Sequence, residues 1–145
     1  MGSGCVLWRV MSQSQRRGET RDRGGTERGD EMADCIFCKI VAGEISAQVV
    51  YEDDQFLAFE DINGQAPTHT LVIPKRHIDR LTDLQEEDAS LVGKWLLVGN
   101  QVARQTGIAA SGYRLVVNCN ADGGQTVFHI HLHVLGGRAM RWPPG

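Results

Sequence analysis

Residues 129–135 read His-Ile-His-Leu-His-Val-Leu, and this strict alternation of imidazole and aliphatic side chains constrains the chain more than any other feature. On an extended strand, residues i, i+2 and i+4 share a face. His129, His131 and His133 therefore project together, while Ile130, Leu132 and Val134 face the opposite side. Such a strand needs a core on one side and a use for three imidazoles on the other. Imidazole, with an ordinary pKa of ~6.5, is partly neutral and nucleophilic near pH 7. A row of imidazoles is either a metal site or a nucleophile with supporting bases. A catalytic metal held by all three is the weaker reading, because they spread along ~13 Å of strand.

Composition narrows the setting. The chain has 145 residues, 41% of them hydrophobic, which suits one domain with a sizeable core. Fifteen basic against eighteen acidic residues leave a net charge of −3 and no basic excess for nucleic acid or anionic lipid. No apolar run approaches the roughly 20 residues of a membrane span, so neither nucleic acid nor a membrane is an expected partner. Four cysteines are too few for a disulfide scaffold. Cys35 and Cys38 form a C-x-x-C pair that points to metal or redox chemistry in a reducing compartment, the cytoplasm. Cys5 and Cys119 read as free thiols.

Residues 12–31 contain no hydrophobic side chain, so nothing offsets the entropy of ordering them. Residues 1–31 are read as a disordered extension, and residues 32–145, with all five histidines, as the domain. The apolar cluster near Trp8 is too short for a signal peptide, and acidic residues such as Glu19 and Asp22 argue against a transit peptide. Met32-Ala-Asp also reads as a start.

Ile36, Phe37, Ile40 and Val41 recur at helical spacing before Gly43, which predicts a short helix over 36–42. Val49–Glu52 and Gln55–Phe59 are β-prone runs flanking Asp53-Asp54, a hairpin signal. Residues 61–67 read as loop, and Thr70–Ile73 as a strand stopped by Pro74. Asp83 with Glu86 resembles a capping pair opening a long helix to about Gln105, ended by Gly107. Leu91, Trp95, Val98 and Val102 form its apolar stripe, widened by Val92, Leu96 and Leu97. Tyr113–Asn118 and His129–Leu135 are the last strands, with a turn over 120–124. Helices and strands segregate, so the expected class is α+β: a five-stranded antiparallel sheet with one long and one short helix.

Gly123-Gly124-Gln125-Thr126, just before the histidines, offers backbone N–H groups, an amide and a hydroxyl able to bind anionic oxygens. GGQTVFHIHLHVLGG matches the histidine-triad pattern His-φ-His-φ-His-φ-φ, where φ is apolar. With APTHTLVIPKRHI, Asn118 and the terminal RWPPG, residues 34–145 resemble the Hint branch of the histidine-triad superfamily.

That resemblance implies a homodimeric hydrolase and transferase acting on purine nucleotides. Its substrates would be adenosine 5′-phosphoramidates and also aminoacyl-adenylates. By position His131 matches the nucleophile that forms a nucleotidyl-histidine, His133 a contact to phosphate or leaving group, and His69 a support for that site. Asn118, Gly124, Gln125 and Thr126 match phosphate and leaving-group contacts. Asp61 matches the carboxylate that accepts both ribose hydroxyls; Ile36, Phe37, Ile40, Phe59 and Ile62 match the apolar walls around the base. His77 and His129 match positions that complete a Cys₂His₂ zinc site with Cys35 and Cys38. Such zinc would be structural, since related proteins without the cysteine pair need no metal for the chemistry.

Two other readings stand beside this one: a zinc-dependent hydrolase, and a nucleotide-binding regulatory or scaffold protein with weak catalysis. For assembly, the wide helical stripe and the Hint resemblance imply two sheets joined into one of ten strands, with Trp95 near the two-fold axis. The tail Trp142-Pro143-Pro144-Gly145 would then lie near the partner's site.

Overall fold

Asp53 makes the hairpin turn that opens the sheet of the computed structural model, which describes residues 32–145. Its Oδ1 accepts hydrogen bonds from the backbone N–H groups of Gln55 (2.8 Å) and Phe56 (2.7 Å), and its Oδ2 accepts from the Tyr51 hydroxyl. A short carboxylate that satisfies the backbone two and three residues on is a turn-former by mechanism. It joins β1 (Val49–Glu52) to β2 (Phe56–Glu60) as the sequence suggests.

β3 (Thr68–Pro74), β4 (Tyr113–Val116) and β5 (Leu132–Gly136) complete a five-stranded sheet in the order β1-β2-β3-β5-β4, antiparallel throughout. Period-two alternation sorts its side chains into two cores. Phe56, Ala58, Val72, Leu132 and Val134 face the long helix α2 (Ala89–Gln105), together with Trp95, Val98 and Val102. Leu57, Phe59, Leu71 and Ile73 face the other way, onto Phe37 of the short helix α1 (Ile36–Val41). The three histidines lie on this α1 face, while Ile130, Leu132 and Val134 lie on the α2 face. Glycines past the two helices, Gly43 at φ +75° and Gly107 at φ +78°, stop them where expected.

Several boundaries depart from the sequence reading. The long helix begins at Ala89 rather than near Asp83, because Leu84 and Gln85 are extended. Two 3₁₀ turns, Leu81–Asp83 and Glu86–Asp88, precede it, and the capping box pairs Gln85 with Asp88 instead of Asp83 with Glu86. Burial of Leu81 and Leu84 against the α2-side core overrides a continuous helix. Trp95 does not face outward. It is 2% exposed, and its Nε1–H donates to the Val72 carbonyl of the central strand at 2.8 Å. The apolar side chains left exposed on α2 are Leu96 and Leu97. The last strand is shorter than the alternation suggests: its ladder with β3 starts at Leu132, opposite Val72. Two residues beyond Val72 stands Pro74, which has no N–H to offer. The extension at 1–31 lies outside the described residues.

Candidate active site

The hydrogen-bond partners of the histidines fix their tautomers, and the tautomers separate the site into two parts. A carbonyl oxygen only accepts, so the ring nitrogen facing it carries the proton. His131 Nδ1 donates to the His129 carbonyl at 2.8 Å, which leaves its Nε2 with a bare lone pair. Burial depresses the His131 pKa below the ordinary imidazole value, so the ring is neutral at pH 7.

Beside it runs a relay. The Gln65 backbone N–H donates to His69 Nδ1 (3.0 Å), which places the His69 proton on Nε2. That proton is directed to His133 Nδ1 at 2.8 Å, with Asp61 Oδ2 at 3.4 Å as a second acceptor. His133 must then carry its own proton on Nε2. This atom is buried with no hydrogen-bond partner among the described residues. A buried N–H without an acceptor is costly, and here it stands on a ring in contact with His131, centroids 5.0 Å apart. Burial, with His131 and His69 as neighbours, depresses His133 to about 4, so it too is neutral. Burial also lowers His69, against the pull of Asp61.

His129 turns to another task. Its Nε2–H donates to the Pro74 carbonyl at 2.7 Å, leaving Nδ1 bare and 3.5 Å from Cys35 Sγ and 3.6 Å from Cys38 Sγ. His77 is arranged likewise: Nε2 is bonded to Asp79 Oδ1 at 2.5 Å, and Nδ1 lies 3.2 Å from Cys38 Sγ. Four ligand atoms from Cys35, Cys38, His77 and His129 thus lie within 4.8 Å of one another. Tetrahedral zinc with Zn–S ~2.3 Å and Zn–N ~2.0–2.1 Å implies S···N separations of about 3.5 Å. The donor set fits a zinc ion. Burial, then the hydrogen bond and charge of Cys35, push the Cys38 thiol up to about 12; a bound cation supplies what the thiolate pair lacks. Asp61, His69 and His133 also bring ligand-type atoms within 4.8 Å. There, however, His69 Nε2 already holds a proton, so a metal at that place would have to break the relay.

The proposed nucleoside walls divide between core and surface. Phe37 stacks edge-on against Phe59 (5.6 Å) and His131 (5.2 Å) in the α1-side core, and Ile40 packs on it. Ile36 (46% exposed) and Ile62 (96% exposed) stand in water with their apolar faces uncovered. Asp61 sits between, its Oδ1 accepting from the Asn63 N–H at 2.8 Å.

Around residues 118–126 the structure differs from a simple anion nest. The N–H groups of Gly124 and Gln125 are spent on the carbonyls of Ala121 and Asn120. The buried Gln125 amide is spent as well: Nε2 donates to the Asp79 (2.7 Å) and Val127 (3.1 Å) carbonyls, and Oε1 accepts from the Asn120 N–H (3.0 Å). Gln125 therefore braces the turn. A Cβ at Gly123 would stand 2.8 Å from the Cys119 backbone nitrogen, so only glycine fits that fold-back. Thr126 is exposed and Asn118 half-buried. Cys119 is a free thiol; Cys5 lies outside the described residues. Sequence reasoning missed Asp79 and the Gln65 amide. A carboxylate two residues after a metal-type histidine was the available signal for Asp79.

The family model described as HIT domain matches residues 42–140, which include His69, His77 and all three alternating histidines. The chain belongs to the HIT family. Among similar proteins, a HIT-like protein from Synechocystis sp. is 53% identical over 112 residues, covering 77% of this chain and 97% of that one. A HIT family hydrolase from Legionella pneumophila superposes with a TM-score of 0.76 at 54% identity, over 77% of this chain and 100% of that one. A histidine triad protein from Clostridium difficile gives 0.72 at 46% identity, over 74% and 94%. Cys35 and Cys38 precede the stretch matched to the HIT model, so half of the metal donor set is contributed from outside it.

Proposed function

We propose that this HIT protein is a nucleotide hydrolase and transferase that cleaves the P–N bond of purine nucleoside 5′-phosphoramidates, adenosine ones above all, and also acts on aminoacyl-adenylates. The observation that carries the reading is the tautomer of His131: a neutral ring with a bare Nε2 beside the unpartnered Nε2–H of His133. In this scheme His131 Nε2 attacks the α-phosphorus in line, and the P–N bond breaks as the N–P bond forms. The amine leaves with its electron pair and takes up a proton. Water then attacks the nucleotidyl-histidine, releasing the 5′-monophosphate and regenerating His131. His133 Nε2–H is suited to a phosphoryl oxygen, where a fixed donor counts most as charge develops. Asp61 would receive the ribose hydroxyls, with the base between Ile36, Phe37, Ile40, Phe59 and Ile62. Asn118 and Thr126 would meet the phosphate and leaving group beside the turn that Gln125 braces, while Gly124, its N–H already spent, would offer no donor.

Zinc at Cys35, Cys38, His77 and His129 is part of this proposal, as a structural ion outside the chemical step. So is a homodimer. Its support is β4 at the sheet edge, Leu96 and Leu97 exposed on α2, and Trp142 83% exposed on a tail tied to β4 by the Arg114–Arg141 hydrogen bond. Light scattering at micromolar concentration should give twice the chain mass of 16.0 kDa; a monomer there removes the dimer. A reducing, cytoplasmic location follows the cysteine chemistry. The activity is tested with His131→Ala, which should abolish phosphoramidate hydrolysis while AMP binding stays measurable. Turnover within tenfold of wild type would reject the assignment.

A further inference from the structure

The segment carrying the proposed nucleophile lies outside the sheet. The ladder starts at Leu132, so residues 125–131 need other anchors. Three hydrogen bonds fasten them to the end of β3 and the loop after it: His129 Nε2–H to the Pro74 carbonyl (2.7 Å), Ile130 N–H to the Ile78 carbonyl (2.8 Å), and Gln125 Nε2–H to the Asp79 carbonyl (2.7 Å). That loop also carries His77, so the metal cluster and the catalytic segment hang on the same few residues. Asp79 belongs to both. Its carboxylate grips His77 Nε2 at 2.5 Å and thereby aims Nδ1 at Cys38, while its carbonyl holds the brace of the 120–126 turn.

We propose that Asp79 is a positioning residue that couples the Cys35–Cys38–His77–His129 cluster to the active site. It orients His77 toward the ion on one side and Gln125 toward the turn on the other. Loading of the cluster then stiffens the 74–79 loop, and with it the segment that presents His131. A carboxylate behind a ligating histidine fixes the tautomer and raises ligand basicity. Across the cluster, His129 reaches the nucleophile directly, since its carbonyl receives the His131 Nδ1–H. An open cavity of about 570 Å³, lined in part by Cys35, His77, Asp79 and Thr126, lies against the cluster.

The coupling rests on His131 as nucleophile, and its test has arms that do not. Zinc affinity is measured by competition with a chelating dye for wild type, Asp79→Ala and Asp79→Asn. Hydrogen exchange of residues 125–131 and steady-state turnover are followed at limiting and at saturating zinc. Asp79→Ala should bind zinc about 10–100-fold more weakly, with Asp79→Asn, which keeps an acceptor, in between. At limiting zinc the Ile130 amide should exchange faster in Asp79→Ala than in wild type. Its kcat should fall by about tenfold with KM little changed, and saturating zinc should restore most of both kcat and protection. Unchanged zinc affinity, or a loss of kcat and protection that excess zinc leaves in place, overturns the proposal. If wild type turns over no phosphoramidate, the functional reading fails, and zinc affinity with amide exchange still decides the role of Asp79.

Discussion

Replacing His69 by leucine removes the proton donor from His133 and tests the relay of tautomers. In wild type the 2.8 Å hydrogen bond from His69 Nε2 to His133 Nδ1 is what holds the His133 proton on Nε2. Without that donor, Nδ1 becomes a buried acceptor left unpaired, at a cost of about 1–3 kcal/mol. With His69 gone nothing pins the proton to Nε2: both tautomers leave Nδ1 unpaired, so the form with its proton on Nδ1 and a bare Nε2 lone pair toward the phosphoryl oxygens becomes populated. The transition state then loses a hydrogen bond to a charged group, about 1.5–3 kcal/mol. At 1.36 kcal/mol per factor of ten, kcat for an adenosine phosphoramidate should fall about 10–100-fold. His69→Gln is the counterpart, because its amide nitrogen reaches the same place with protons to give; it should stay within about threefold of wild type. Nitrogen NMR of labelled histidine reads the His133 tautomer directly in each variant. Equal losses for Leu and Gln, or an unchanged His133 tautomer in His69→Leu, would refute the relay.

Acid should act on activity and stability through the same buried rings. His131 lies below the ordinary imidazole value, so the acid limb of kcat/KM should fall below pH ~6.5; a midpoint above that in rate measurements contradicts a neutral buried nucleophile. In metal-free protein, His129 and His133 titrate near 4 when folded and near ~6.5 when unfolded, so between these values the unfolded chain binds more protons. Stability is then full above pH ~6.5 and declines toward pH 4 by up to about 1.4 kcal/mol per pH unit for each ring, which urea titrations at several pH values will show. Trp95→Phe deletes the indole hydrogen bond to the Val72 carbonyl and should cost about 0.5–1.5 kcal/mol before any cavity term, read as a lower urea midpoint; an unchanged midpoint would mean that the hydrogen bond contributes nothing.

The sequence showed the histidine face well because alternation survives where the ladder does not. Residues 129–131 keep their sidedness although they pair with no strand: His129 and His131 meet Phe37 while Ile130 joins the α2-side core. The division of labour among the three rings was not legible in that way. For two of them it depends on partners far along the chain: the Pro74 carbonyl for His129, and the Gln65 amide acting through His69 for His133. The α2 stripe gave the right helix and its core-facing side. Trp95, Val98 and Val102 at helical spacing are buried, and Trp95 spends its indole N–H on the Val72 carbonyl of the sheet. Gln125 shows the same limit. Its type and place suit a phosphate contact, yet three backbone groups claim its amide.

The central claim is a covalent bond between His131 Nε2 and the α-phosphorus. Protein mixed with an adenosine phosphoramidate and quenched within a turnover should gain the mass of one adenylyl group, and fragmentation should place it on His131. The adduct should be absent from His131→Ala and should disappear as water completes the cycle. Hydrolysis of the substrate with no adduct at any quench time, or an adduct on another side chain, would contradict the account.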